Sequence, residues 1–282
     1  MPFVIKASKR FTSPIKPELN EHAKKAGTPA FGSIAIILSL LVPFIIYLSN
    51  KEKIILLPAI VLFFIIGFID DFLKVKRVSS DGLKSITKLT LQIISAIIIS
   101  FLIKKQGYYS KLDNIIYYPL SVLLIIIFVN SVNITDGLDS LAVKSAIPPL
   151  VIIALLFTSL RDISLITLCV FIAFLFYNCP KASIFMGDGG SHILGIIFAV
   201  LTLISEKPKI ITISCGLFII ELLSSFIQIF AIRVFNKKVF PIAPLHHALE
   251  KSGMSEEKIC DRAFCLSFFF SILSVTLFKV VI

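Results

Sequence analysis

Nine apolar runs separated by short polar segments constrain this chain more than any other feature of its sequence. They fall at about residues 32 to 49, 54 to 69, 89 to 103, 119 to 134, 145 to 160, 163 to 178, 190 to 204, 210 to 232 and 261 to 281. In hydrocarbon each backbone N–H and C=O must find its partner within its own segment, so runs of this length predict helices. Their polarity does not alternate, which argues against a transmembrane β-barrel. With 57% of 282 residues hydrophobic and a mean hydropathy of +0.96, the solvent of this fold is lipid. The expectation is an all-α, polytopic membrane bundle of nine transmembrane helices, forming a single domain over residues 1–282.

The stretch from Met1 to Phe31 is polar and basic, contains Pro14 and Pro17, and has no apolar core of the kind a secretory signal needs. The N-terminus is therefore expected in the cytosol. The segments assigned to the cytosolic side then carry 19 Lys and Arg residues against eight in the outer loops, with Lys279 near the end of the chain. That asymmetry follows the positive-inside rule and fixes the orientation. The net charge of +11 is therefore placed to meet membrane lipid and phosphate, and no nucleic-acid partner is expected. Cys169, Cys179, Cys215, Cys260 and Cys265 form no C-x-x-C pair and read as free thiols of a reduced compartment.

In this topology the chemistry-bearing segments all fall at cytosolic helix ends: GTPAFGS (27–33), DDFLKVKR (70–77), NSVNITDGLDS (130–140), YNCPKASIFMGDGGS (177–191) and APLHHALEKSG (243–253). A channel or pump places ionisable groups along a path through the bilayer, whereas an enzyme working at one surface collects them there. Asp70 and Asp71 follow the apolar run IVLFFIIGFI without a spacer. Together with Asp136, Asp139 and Asp188 at equivalent depth they make an oxygen-rich cluster suited to Mg²⁺, which keeps waters and bridges substrate phosphates. Glycines in GDGGS let a phosphate approach the N–H groups that open the next helix. Asn130, Asn133, Asp136 and Asp139 recur every three residues and share a face if the helix continues through them. His246 and His247 lie in the longest cytosolic loop, positioned to meet phosphate oxygens. Glu221, Ser224, Ser225 and Gln228 form a polar stripe within an apolar run, read as glue between membrane helices.

These five stretches resemble, in the same order and from about residue 20 to 258, the polyprenyl-phosphate N-acetylhexosamine-1-phosphate transferases. The forms T-D-G-L-D at 135–139 and A-P-L-H-H at 243–247 point to the muramoyl-pentapeptide branch. The resemblance implies transfer of phospho-MurNAc-pentapeptide from UDP-MurNAc-pentapeptide to undecaprenyl phosphate, giving lipid I and UMP, with Mg²⁺, at the bacterial cytoplasmic membrane. Carried over residue by residue, it makes Asp70, Asp71, Asp188 and His246 catalytic, with Asp71 and Asp188 holding the metal. It places uridine near Lys25, Gly137, Leu138, Asp139, Asn178 and Phe185. Thr28, Lys74, Lys88, Asn130, Asn133, Asp136 and His247 fill the other substrate-binding positions. A homodimer is the assembly it raises.

The chain also departs from the family pattern. Family members usually have ten spans with an outside N-terminus, so this chain is expected to lack most of the first. Their first motif ends in two glycines where this chain has Gly32 and Ser33, they read G-D-T-G-S where it has Gly189, and Ala248 replaces a third consecutive His. His192, at a position usually apolar, is expected to face the mouth of the site or to stand in for that missing His. The alternatives are a sister transferase using UDP-GlcNAc and, in another class, a transporter or non-catalytic membrane protein.

Overall fold

The computed structural model describes residues 4–6, 27–79 and 81–281. Its helices are α1 (Gly32–Tyr47), α2 (Asn50–Arg77), α3 (Ser85–Lys105), α4 (Asn114–Thr135), α5 (Leu141–Leu156), α6 (Arg161–Asn178), α7 (Gly187–Ile204), α8 (Pro208–Ser214), α9 (Gly216–Phe235), α10 (Leu245–Lys251) and α11 (Glu256–Val281). The described residues contain no β-strand. Seven helices are long and apolar enough to cross a membrane, counting the short 3₁₀ turn Thr158–Leu160 with α6. The apolar helices α1 and α5 have 16 residues each, a reach of about 24 Å at 1.5 Å per residue.

The nine apolar runs lie mainly on helix, with two corrections. The run at 145–160 leaves α5 at Leu156 and ends in the 3₁₀ turn Thr158–Leu160. The run at 210–232 is two helices, because α8 stops at Ser214 and α9 starts afresh at Gly216. Gly216 leaves room there for the Phe270 ring, which a Cβ would approach to 2.7 Å. The five cysteines are free, as their spacing indicated.

Local chemistry sets the ends of α2, which carries most of the acidic cluster. Ser49 and Glu52 form a reciprocal capping box, Ser49 N donating to Glu52 Oε2 at 2.7 Å. Val78, in the left-handed region at φ 49°, ends the helix. Between these points the apolar residues divide into a core face, including Ile55, Ala59 and Phe63, and an outward face on which Ile65 and Ile69 remain exposed. In water such exposed apolar surface would be a liability; in lipid it is the contact surface.

Helix α7 is the axis of the bundle, with every residue from Gly189 to Ile204 buried. It packs against α1, α2, α4 and α8. Close approach requires small residues: a Cβ on Gly195 would stand 2.6 Å from Val129 Cα, and one on Gly67 of α2 would strike the backbone at Asp188. This packing brings the first turn of α7 against the C-terminal ends of α2 and α4 and the N-terminal end of α3.

A candidate active site at one end of the bundle

All five polar segments meet at this end. Asp188, in the first turn of α7, is the hub. Its Oδ2 accepts from Lys74 Nζ at 3.0 Å and Lys88 Nζ at 2.6 Å, and its Oδ1 accepts from Asn133 Nδ2 at 3.0 Å. Lys74 also pairs with Asp70 Oδ2 at 2.6 Å, one helical turn earlier on α2. Asp70 Oδ1 accepts the Leu83 N–H at 2.8 Å, which folds the α2–α3 loop over it and leaves Asp70 3% exposed. Lys74 Nζ thus bridges the Asp70 and Asp188 carboxylates, and Lys88 Nζ reaches Asp70 Oδ2 as well, at 3.9 Å. Two carboxylates this close are held by the two ammonium groups between and beside them.

Asp71 faces the other way. Its two oxygens accept the backbone N–H groups of Asp188 and Gly189, each at 2.9 Å. The anion at the α7 N-terminus is therefore a side chain of α2, satisfying amides that helix geometry leaves open. The Asp188 and Gly189 N–H groups, which the glycines of GDGGS are expected to open to a phosphate, are instead committed to Asp71. Glycines here serve the packing: a Cβ on Gly187, at φ +72°, would lie 2.6 Å from Asp71 Oδ2, and one on Gly189 would lie 2.7 Å from Ser33 Oγ.

The three-residue periodicity of Asn130 to Asp139 does not persist as a single helical face. Helix α4 ends at Thr135, and the chain turns through Gly137 to Ser140, which has φ 67°. Asn133 stays on the Asp188 side. Asn130 Nδ2 donates to Gln92 Oε1 at 3.0 Å. Asp136 is half-buried, and burial together with the neighbouring Asp188, Asp71 and Asp139 raises its pKa well above the usual carboxylate range. Asp139 turns to the α6–α7 loop, accepting Ala182 N–H at 3.0 Å, while its own N–H donates to Glu256 Oε1. Asn178 staples the same loop, accepting from Ser140 N at 3.0 Å and donating to Ile184 O at 3.1 Å. Leu138 is buried with Leu141, Ile259 and Cys260.

On the other flank, Thr28 precedes Pro29, whose carbonyl accepts from Phe185 N at 2.9 Å; Gly32 N donates to Phe185 O at 3.0 Å. The half-buried Phe185 is thus held by its backbone beside the first motif. Lys25 lies outside the described residues. His247 Nδ1 pairs with Glu250 Oε2 at 3.0 Å, and its ring stands 4.3 Å from that of His246. His246 is buried, with its Nδ1 3.2 Å from Glu221 Oε2 and its Nε2 against Gly137. Reading Glu221 as interhelical glue missed this partner, because no local spacing reveals that the chain after α9 folds back over it. Gln228 acts similarly, accepting the N–H groups of Val239 and Phe240 at 3.0 and 2.9 Å.

His192 corrects another expectation. It is fully buried, and does not face the mouth of the site. Its Nδ1 is 2.5 Å from the Asp188 carbonyl, so it donates there, and Nε2 accepts from Gln92 Nε2 at 3.0 Å. The chain Asn130–Gln92–His192–Asp188 joins α4, α3 and α7 behind the acidic hub.

Among the described residues no group of three His, Cys, Asp or Glu side chains is arranged to hold a metal ion by itself. The convergence of Asp70 and Asp188 still fits a cation that draws its remaining ligands from waters and phosphate, as Mg²⁺ does.

The model of glycosyl transferase family 4 matches residues 53–206. A phospho-N-acetylmuramoyl-pentapeptide-transferase of Caldanaerobacter subterraneus subsp. tengcongensis is 36% identical over 256 residues, covering 84% of this chain and 80% of the relative. The protein of the same name from Thermotoga maritima is 34% identical over 269 residues, covering 92% and 88%. That from Orientia tsutsugamushi is 33% identical over 324 aligned positions, covering 98% and 88%.

Proposed function

The chain belongs to glycosyl transferase family 4 and, within it, to the phospho-N-acetylmuramoyl-pentapeptide-transferases, and on that premise we propose that it makes lipid I. The donor is UDP-MurNAc-pentapeptide and the acceptor undecaprenyl phosphate, met at the cytosolic face of the bacterial cytoplasmic membrane. The observation that carries this reading is the Asp70–Lys74–Lys88–Asp188 cluster at the boundary of a multi-pass membrane bundle. That is where a lipid phosphate and a soluble diphosphate can meet.

In the reaction a lipid-phosphate oxygen attacks the phosphorus that carries the sugar. The bond from that phosphorus to the oxygen bridging it to UMP breaks, and UMP leaves with the electron pair. The residues supply positioning and charge, the main demands of phosphoryl transfer. Lys74 and Lys88 exchange their carboxylate partners for phosphate oxygens. Asp70, under the α2–α3 loop, orients the lipid phosphate and takes its proton where it carries one. Asp71 fixes the first turn of α7 and thereby the direction of Asp188. Phe185 offers its ring to the uracil, with the Gly137–Asp139 turn and Asn178 framing that side.

Mg²⁺, when bound, neutralises the diphosphate and the leaving phosphate. Asp188 would hold it, with Asp70 or Asp71 beside it; each Asp71 oxygen accepts only one N–H and keeps acceptor capacity. The test is release of UMP and appearance of lipid I by the purified protein, with UDP-MurNAc-pentapeptide or UDP-GlcNAc and with Mg²⁺ or chelator. Transfer from UDP-GlcNAc alone would assign the sister reaction, and no Mg²⁺-dependent transfer from either would overturn the reading.

A further inference from the structure

Glu221 lies within the apolar helix α9, where an acid is costly to bury unless it has a partner. Its Oε2 is 3.2 Å from His246 Nδ1 and 3.4 Å from the His246 backbone N, so one carboxylate oxygen holds both the ring and the start of α10. Ser224 Oγ donates to the Glu221 carbonyl at 2.7 Å, and Gln228 anchors the returning chain at Val239 and Phe240. The polar stripe of α9 is thus turned toward the loop that brings His246 back. At the far side of the ring, Nε2 is buried and has no hydrogen-bond partner. It points at Gly137, the residue after Asp136, and only a residue without a side chain leaves room for it there.

We propose that Glu221 is a positioning residue of the transfer reaction: it holds His246 through Nδ1–H so that Nε2 meets the nucleotide-sugar at the Gly137 turn. This rests on the transferase reading above. The logic is that of a carboxylate that fixes which nitrogen of an imidazole carries the proton and where the other nitrogen points. A buried nitrogen without a protein partner is a cost to the free protein, which contact with a ligand removes.

The test uses the full chain purified in detergent, as wild type, Glu221→Gln, Glu221→Ala, His246→Ala and the Glu221→Ala/His246→Ala double variant. For kcat/KM of UMP release, Glu221→Ala should lose about 10- to 100-fold, the scale for removing a partner that orients a reacting ligand. Glu221→Gln keeps an acceptor for Nδ1–H and should recover most of that loss. In the His246→Ala background, removing Glu221 should cost little more, since the two act as one unit. A second readout does not depend on turnover: with ¹⁵N-labelled histidine, the His246 signals, assigned by their loss in His246→Ala, should show a protonated Nδ1 that changes in Glu221→Ala. Unchanged ring signals, or penalties that multiply in the double variant, would overturn the proposal. A wild-type protein that shows the ring signature but no transfer would sink the transferase reading instead.

Discussion

A methyl group added at Gly137 would collide with His246 Nε2, so this glycine is a spacer for the imidazole and not merely a turn residue. Gly137→Ala should therefore lower kcat/KM by about tenfold or more, a cost that disappears in a His246→Ala background; equal losses in both backgrounds would assign Gly137 to the turn alone. The carboxylates differ in what they hold. Asp188→Asn removes the closest carboxylate partner of Lys88 and one of the two partners of Lys74, and should reduce kcat by at least about 10²-fold, the scale of losing one preorganised electrostatic group. Near-normal UMP release by that variant would remove Asp188 from the site. Asp136 carries a pH signature. Its raised pKa means that the folded protein favours the protonated carboxyl, so the stabilisation is present in acid and is lost as pH rises through the folded value. Asp136→Asn, fixed in a neutral form, should raise Tm relative to wild type more at pH 8 than at pH 5. A gain independent of pH would contradict the assignment.

Among the elements, α7 was legible in the sequence as an apolar run opened by GDGGS, but its role as the buried axis was not. Hydropathy reports that a helix avoids water and is silent on whether it faces lipid or protein. The same limit explains Asp71: its neighbours in sequence show an acidic pair at a helix end, while its partners, Asp188 N and Gly189 N, are 117 and 118 residues away. Two of the departures from the family pattern meet here. Gly189 on α7 faces Ser33 on α1, where a Cβ on the glycine would stand 2.7 Å from Ser33 Oγ, so the hydroxyl at this contact comes from α1. Gly189→Thr alone should overpack this contact and lower stability by about 1–3 kcal/mol, and Ser33→Gly in the same chain should restore most of the loss. A double variant no more stable than Gly189→Thr, by thermal unfolding in one detergent, would show that the two sites are independent. His192 belongs to this scale as well. Because it links helices behind the hub, His192→Leu should lower Tm by leaving the buried Gln92 Nε2 without its acceptor, and adding Ala248→His should not recover it.

For the whole molecule, the helix ends sort consistently. The C-terminal ends of α2, α4 and α6 and the N-terminal ends of α3 and α7 carry the site residues Lys74, Asn133, Asn178, Lys88 and Asp188. The opposite ends meet one another elsewhere: Tyr109 N, after α3, donates to Glu206 Oε1 after α7, and Phe157, after α5, packs on Phe278 near the end of α11. Alternation of this kind follows if each helix crosses once and the broken pair α8–α9 counts as one crossing. The short helices α1 and α5 fall about 6 Å below the roughly 30 Å hydrocarbon thickness at 1.5 Å per residue, so they cross only with the flanking residues or a locally thinned bilayer. In the orientation we propose, the charge asymmetry turns the site face toward the cytosol, and nine crossings then put the segment before α1 inside and the end of α11 outside. Single cysteines placed before residue 27 and after residue 279, in a chain whose five native cysteines are replaced by Ala or Ser, should react with an impermeant thiol reagent on opposite sides of sealed vesicles. Labelling of both from one side would mean an even number of crossings, with α1 or α5 resting short of the far surface.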